Sequence, residues 1–172
     1  MAEDEASLYL QATLQAVWYW RGETPVVKLH PGRDCVHFYG SVNLLTGAEI
    51  VTHTTVMNAE TTVLHLQQVL TANPAKPVLM LLDHAPWHGG PAIDALLAAN
   101  PRLELMYFPT AAPDLNPQEH VWKAARDNVS HNHGVAKLAQ LATDFKAYLE
   151  STKFPSPLLA NHDYQRICAM SK

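Results

Sequence analysis

The period of the hydrophobic pattern changes along the chain, and its first segment alternates. Ala6, Leu8 and Leu10 are separated by single, more polar residues. This period of two predicts a strand that leaves Asp4 and Glu5. Almost nothing apolar precedes Asp4, so we expect any strand that leads into this acid to be cut short.

The next residues predict a loop, a hairpin and a helix. Residues 21–34 hold two glycines and two prolines and predict a loop around a short Val26–Leu29 strand. Residues 35–57 alternate and are rich in β-branched side chains, which predicts two strands joined by a turn. Asn58 stands where a helix N-cap belongs, and the helix that it begins should end near residues 73–74.

The second half of the chain alternates strands with helices. Residues 77–83 are apolar almost throughout, which is typical of a central strand covered on both faces. A short helix that begins after residues 89–91 leads to another strand at residues 103–108. Asn116 then caps a further helix, and a last helix runs from about residue 135 to 151.

This order of elements predicts an α/β fold with a mixed five-stranded sheet flanked by helices. Three antiparallel strands come first, and two parallel strands come after them. It is the element order of a ribonuclease H-like fold. We expect one domain over residues 1–153 and an irregular C-terminal tail over residues 154–172.

Composition excludes several classes of protein. The chain has 172 residues, of which 48% are hydrophobic and 16% charged, as in a single globular domain. A formal net charge of −4 argues against a free-standing, tight nucleic-acid binder. Two cysteines form no disulfide framework and suit a reducing cytosol, and the ten histidines show no zinc-finger spacing. We find no signal peptide and no apolar run of the ~20 residues that a membrane span needs.

Two acids mark the candidate chemistry. Asp83 ends the buried strand, and Glu119 falls in the first turn of a later helix. Such positions can meet at one edge of a sheet, where carboxylates bind metal ions. Other interpretations stay open. Asp83 could cap a turn, Glu119 could complete a capping box with Asn116 or pair with Lys123, and Asp4 could be a solvated terminal acid.

Three segments resemble a known family. They are DEASLYL (4–10), LLDHAPWH (81–88) and YFPTAAPDLNPQEHVWK (107–123). Together they resemble the DDE transposases of bacterial insertion sequences related to mariner elements, and WYWRGETP (18–25) is similar to that family's tryptophan–glycine–proline stretch. The most specific part is the block of Pro113, Leu115, Asn116, Pro117, Glu119 and Trp122.

The resemblance implies a ribonuclease H-like catalytic domain with Asp4, Asp83 and Glu119 as its catalytic and metal-binding triad. It implies two Mg²⁺ or Mn²⁺ ions, because a pair of ions ~3.5–4 Å apart clamps the attacking and leaving oxygens of a phosphodiester. The implied reaction is DNA strand cleavage and strand transfer. The implied partners are transposon ends, target DNA and a second copy of the chain. The implied location is the bacterial cytoplasm, at the nucleoid when DNA is bound, with no membrane.

Two departures from the family pattern suggest alternatives. His84 stands where the family commonly has asparagine, and the chain begins three residues before Asp4 without a helix-turn-helix region. We therefore expect the catalytic domain alone. The alternatives are an inactive truncated remnant or interaction module that retains the fold, and a stand-alone ribonuclease H-like nuclease.

Further residues are expected to support the acids or to touch substrate. They are His84, His88, Asn116 and Lys123. Lys123 and Arg126 could face a DNA backbone, and Trp18, Trp20 and Trp122 are expected to pack in the core. Whatever DNA this chain binds, we expect the binding to be weak, independent of sequence and sensitive to salt.

The first strand should occupy the centre of the sheet, because an empty central position would leave backbone groups of both neighbours unpaired. We predict that residues from about Asp4 to Leu10 pair between a Val36–Leu44 strand and a Pro77–Asp83 strand. Asp4 should then share a face with Ala6, Leu8 and Leu10 and come within metal-bridging reach of Asp83.

Overall fold

A computed structural model describes residues 1–110 and 113–155 as a mixed five-stranded sheet flanked by helices. The strands are β1 (Ala2–Tyr9), β2 (Cys35–Val42), β3 (Glu49–Thr54), β4 (Val78–Leu82) and β5 (Leu103–Tyr107), in the spatial order β3-β2-β1-β4-β5. The helices are α1 (Ala59–Ala72), α2 (Pro91–Ala99), α3 (Gln118–Ala125) and α4 (Leu138–Ser151). No helix in these residues is long and apolar enough to cross a membrane.

The first strand lies in the centre of the sheet, as predicted. β1 pairs with β2 along its whole length in antiparallel register, and it runs parallel to β4. The predicted pairing of Asp4–Leu10 with β4 is wrong, because Ala2 lies opposite Leu81 and β4 ends at Leu82. Residues beyond Asp4 therefore extend past the end of β4, and pairing with β4 is confined to the first residues of the chain.

Two apolar clusters cover the two faces of the sheet. Phe38, Trp122 and Phe145 belong to the cluster on the α3 and α4 side, which also contains Ala6 and Leu8 of β1. The other cluster, on the α1 and α2 side, includes the following buried residues: Leu66, Val69, Met80, Leu82, Ile93 and Leu96. β4 lies between β1 and β5, as the apolar pattern of residues 77–83 indicated, but the predicted cover on both of its faces is incomplete, because Leu79 is 42% exposed.

The segment between β1 and β2 differs from prediction. No strand forms at Val26–Leu29, and Val26 is 88% exposed. Trp18 and Trp20 are 102% and 77% exposed, so the prediction that they pack in the core is wrong. The segment carries no regular element that could place these side chains against the sheet, whereas Trp122 lies in the core, as predicted, because α3 holds it there.

The last described helix starts later than predicted. α4 begins at Leu138 instead of about Val135, because Lys137 still has extended backbone angles. Near the end of the described chain, the Phe154 N–H donates to the Gly47 carbonyl at 2.8 Å. Residues 156–172, which make up most of the predicted tail, lie outside the described residues, and the domain boundary at 153/154 stays a prediction.

Candidate active site

Three consecutive acids of β1 project to alternate faces of the sheet. Successive side chains of a strand point to opposite sides, so Asp4 separates from Glu3 and Glu5. Asp4 shares the α3 and α4 side with Ala6 and Leu8, as predicted. Glu3 and Glu5 lie on the other side, which faces the short 3₁₀ turn Pro86–His88.

Asp4 lies beneath α3, where buried Trp122 holds its carboxylate. The Nε1–H of Trp122 donates to Oδ2 of Asp4 at 3.1 Å. Burial raises the pKa of Asp4 to about 7, and the negative charges of Glu119, Glu5 and Asp83 add to this increase. Like charges that converge on one carboxylate favour a proton or a cation at that point.

The absence of a side chain at Gly40 explains why α3 can come so close to Asp4. Gly40 pairs directly with Asp4 across the β1–β2 ladder. A Cβ atom at this position would lie 2.6 Å from the Trp122 ring and 2.5 Å from the Glu49 carboxylate. Any larger residue would therefore push α3 away from the sheet.

Glu119 lies in the first turn of α3, and its side chain is exposed. Pro117 before it has helical backbone angles, although the regular helix begins one residue later, at Gln118. Lys123 pairs with Asp127 rather than with Glu119, and the described residues show no hydrogen bond from the Glu119 carboxylate back to Asn116. Neither structural alternative for Glu119 is observed within residues 1–110 and 113–155, and Glu119 lines a surface groove.

Buried amide side chains fix the start of α3 against three strands. Nδ2 of Asn116 donates to the Glu3 carbonyl of β1 at 3.2 Å, while its Oδ1 accepts from the Gln118 N–H at 3.1 Å. Gln118 in turn accepts from the Val42 N–H at 2.9 Å and donates to Glu49 at 2.7 Å. Asn116 therefore supplies the predicted capping interaction and also ties Glu119 to the strand that carries Asp4.

Asp83 follows the last residue of β4 and is half exposed. Its Oδ1 accepts from the Ala85 N–H at 2.8 Å, so the turn-capping interpretation is observed. The same oxygen lies 3.0 Å from Nδ1 of His88. Ala2 and its partner Leu81 each lie two residues before an acid, Asp4 and Asp83, and the negative charge of Asp83 contributes to the raised pKa of Asp4.

His88 is buried at the centre of an acidic cluster. Its Nε2 lies 3.0 Å from Oε1 of Glu5 and 3.3 Å from Oε2 of Glu3, and its Nδ1 lies 3.0 Å from both the Asp83 carboxylate and the Asp83 carbonyl. Burial alone would lower its pKa, but the hydrogen bond to Glu5 and the charges of Glu3 and Glu5 outweigh burial and raise the pKa to about 9. His88 therefore orients Asp83, one of the two roles that the sequence suggested.

The remaining predicted residues lie around this centre. His84 is exposed and stacks on Tyr107, with ring centroids 5.1 Å apart. Within the described residues it forms no hydrogen bond or ion pair with the acids. Lys123 is 68% exposed and paired with Asp127. Beside Glu119, a surface groove of about 560 Å³ is lined by Lys123 and half-buried Arg126, among others.

Sequence reasoning missed Glu3 and Glu5. The available signal was the alternation itself, because acids on both sides of Asp4 in a central strand must point to the opposite, covered face. Their partner could not be identified in the same way, because His88 lies 83 residues beyond Glu5 and meets it only through the folded sheet.

Comparison with known proteins identifies the family. The family model of the DDE superfamily endonucleases matches residues 2–142. The chain belongs to this family. A relative from Shigella sonnei, the insertion element IS630 uncharacterized 39 kDa protein, is 23% identical over 155 residues, which are 89% of this chain and 45% of that protein. The resemblance found in the sequence is therefore confirmed, and the chain spans about half the length of this curated relative.

Solved structures share the fold. The Mos1 transposase paired-end complex with the left transposon end matches with a TM-score of 0.66 and 14% identity, covering 89% of this chain and 48% of that chain. The Mos1 mariner paired-end complex with Mn matches with a TM-score of 0.64 and 13% identity over 89% of this chain and 48% of that one. These similarities confirm the predicted ribonuclease H-like fold.

Proposed function

We propose that this chain is the catalytic domain of a DDE transposase, in which Asp4, Asp83 and Glu119 support metal-dependent cleavage and strand transfer of DNA. The proposal rests mainly on the environment of the Asp4 carboxylate. This carboxylate is held by Trp122, and the charges of Glu119 and Asp83 both raise its pKa. Family membership supports the same reaction class.

The donor set fits hard divalent cations. Asp4, Asp83 and Glu119 offer carboxylate oxygens, which are the ligands that Mg²⁺ and Mn²⁺ prefer. The repulsion that raises the pKa of Asp4 is the kind that a cation would relieve. When bound, two such ions would activate the attacking oxygen and stabilise the leaving oxygen of a phosphodiester. The similar Mos1 complex with Mn is consistent with this choice of metal.

The chain's own residues position the three acids. Trp122 fixes one oxygen of Asp4 through its Nε1–H. His88 fixes one oxygen of Asp83 through Nδ1, and the Ala85 N–H reinforces this orientation. Asn116 holds the start of α3, and with it Glu119, against β1. Catalytic groups held in this way need little rearrangement when substrate arrives.

The proposed partners are DNA, at transposon ends and at the target, and a second copy of the chain in the assembled complex. The similar Mos1 structures are paired-end complexes, which supports both proposals. With a net charge of −4, this chain should bind DNA weakly and with strong salt dependence. Arg126, in the groove beside Glu119, is the cation best placed to meet a phosphate. A bacterial cytoplasmic location, at the nucleoid when DNA is bound, belongs to the same proposal.

The test is a nicking assay on supercoiled plasmid with Mn²⁺. Asp83→Asn and Glu119→Gln should each reduce the nicking rate at least about 100-fold, since a loss of roughly 2.7 kcal/mol of transition-state stabilisation corresponds to that factor. Glu104→Gln, an exposed acid of β5, is the matched control and should retain wild-type activity.

Metal binding gives a second readout that does not need DNA. Millimolar Mg²⁺ should raise the melting temperature by ligand linkage, and Asp83→Asn should remove most of the increase. No nicking and no Mg²⁺-dependent shift in the wild type would instead support the inactive remnant. Nicking without any joining of a pre-cleaved transposon end would support the stand-alone nuclease.

A further inference from the structure

Glu3 is the least satisfied charged group in the described chain. It is 1% exposed, and neither of its carboxylate oxygens has a hydrogen-bond partner. A buried carboxylate without a hydrogen-bond donor is costly to keep charged.

His88 cannot satisfy both glutamates through hydrogen bonds. Its Nε2 carries at most one hydrogen, and Oε1 of Glu5 lies nearer to it, at 3.0 Å, than Oε2 of Glu3, at 3.3 Å. Glu5 also accepts from the Trp87 indole N–H. The arrangement therefore gives Glu5 two donors and gives Glu3 none.

The spacing of the three ligand atoms suits a metal ion. Glu3, Glu5 and His88 each offer one atom, and these atoms all lie within 4.8 Å of one another. Two ligands bound to zinc at ~2.0–2.1 Å in tetrahedral geometry lie roughly 3.3 Å apart. The 3.3 Å between Nε2 of His88 and Oε2 of Glu3 equals that value, and the 3.0 Å hydrogen bond from Nε2 to Oε1 of Glu5 is about 0.3 Å shorter.

We propose that Glu3, Glu5 and His88 form a second metal site, distinct from the Asp4 centre, which binds one transition-metal dication such as Zn²⁺. An imidazole with two carboxylates favours zinc or a neighbouring transition metal over Mg²⁺, which prefers oxygen and water. The cation would replace the proton on Nε2 and give the buried Glu3 a partner. The site uses none of the three proposed catalytic carboxylates as ligands, although its His88 also contacts Asp83.

The second nitrogen of His88 supports this assignment. A histidine that binds metal usually donates its other ring N–H to a carboxylate or carbonyl, which fixes the ring. Nδ1 of His88 lies 3.0 Å from both the carboxylate and the carbonyl of Asp83. The proposed ion would therefore stabilise the residue that orients Asp83, from the opposite face of β1.

The experiment measures how many Zn²⁺ ions each molecule of the purified protein binds. The protein is stripped with chelator, equilibrated with Zn²⁺ in excess Mg²⁺ and analysed by mass spectrometry. We expect one tightly bound Zn²⁺ in the wild type and in the double variant Asp4→Asn/Glu119→Gln, which leaves the proposed site intact. Glu3→Gln and His88→Gln should bind Zn²⁺ at least about tenfold more weakly. The Glu104→Gln control shares any adventitious binding to exposed histidines.

Cobalt provides a readout that does not depend on the folding of a variant. Co²⁺ substituted into the wild-type site should give the visible absorption of a four-coordinate ion, and added Zn²⁺ should remove it. The proposal is overturned if the wild type binds no stoichiometric Zn²⁺, or if Glu3→Gln keeps full affinity. It is also overturned if the Asp4→Asn/Glu119→Gln variant loses the ion, because Zn²⁺ would then lie at the catalytic acids.

Discussion

The two faces of β1 place the same kind of side chain in opposite circumstances. Asp4 faces α3, keeps one buried donor in Trp122, and stays close to acids of other elements. Glu3 and Glu5 face the opposite side, where they are almost fully buried around His88. Asp4 therefore lies near other acids, whereas its neighbours Glu3 and Glu5 lie against the basic side chain of His88.

The difference shows that the environment, not the residue type, decides what a carboxylate can do. On the Asp4 face, Glu119 lines an open groove, and the repulsion between Asp4 and the neighbouring acids is left for a ligand to relieve. On the other face, a buried histidine neutralises part of the charge inside the protein. The first arrangement is typical of a reaction centre, and the second holds elements together.

The largest expected effect tests the buried face. His88→Gln should lower the free energy of unfolding by about 3–5 kcal/mol, because it leaves the Glu5 carboxylate without its charged partner. Urea unfolding at neutral pH measures this loss. In a double-mutant cycle with Glu5→Gln, the two losses should fall short of additive by more than about 1 kcal/mol. Strict additivity would mean that the pair does not interact.

The next prediction tests the Asp4 face through pH. Because its folded pKa is raised to about 7, Asp4 contributes stability that is fully present below its unfolded pKa and is lost as pH rises towards 7. In metal-free buffer, Asp4→Asn should therefore match the wild type near pH 4 and exceed its unfolding free energy by a few kcal/mol at pH 8.

Activity should move in the opposite direction to stability in this variant. Asp4→Asn should lose Mn²⁺-dependent nicking at least about 100-fold while becoming more stable, since active sites keep groups that burial and repulsion disfavour. A variant that is less stable at pH 8, or that still nicks DNA, would contradict the contrast between the two faces.

A smaller effect tests the connection between the faces. Asn116→Ala removes the bond to the Glu3 carbonyl and the cap on Gln118, so stability should fall by about 1–2 kcal/mol. Nicking should fall as well, because α3 and Glu119 lose their attachment to β1. Chemical denaturation and the plasmid assay measure both changes. Asn128→Ala, an exposed asparagine that bonds within its own helical turn, is the matched control.

The smallest effect concerns the segment outside both faces. Trp18 is fully exposed, so Trp18→Ser should change the free energy of unfolding of the isolated chain by less than about 0.5 kcal/mol. Thermal melts of the variant and the wild type provide the test. A loss of several degrees would show that this side chain packs on the domain in solution.

Local patterns in the sequence were enough for the framework. The alternation after Asp4, the apolar run 77–83 and the cap at Asn58 predicted β1, β4 and α1. The turn residues around Asn116 predicted the start of α3 to within a residue or two. These features depend on hydrogen bonds and side-chain periods within a few residues, so they can be recognised without knowing the fold.

The tertiary structure alone decided which of these acids meet and which stay apart. The parallel pairing of Ala2 with Leu81 brings the ends of β1 and β4 together, and the turn Pro86–His88 places buried His88 against Glu3 and Glu5. The exposure of Trp18 could not be predicted from the sequence either, because an aromatic residue is buried only when another element packs over it. Contacts between residues some 80 positions apart depend on strand register and helix placement, and no local period encodes them.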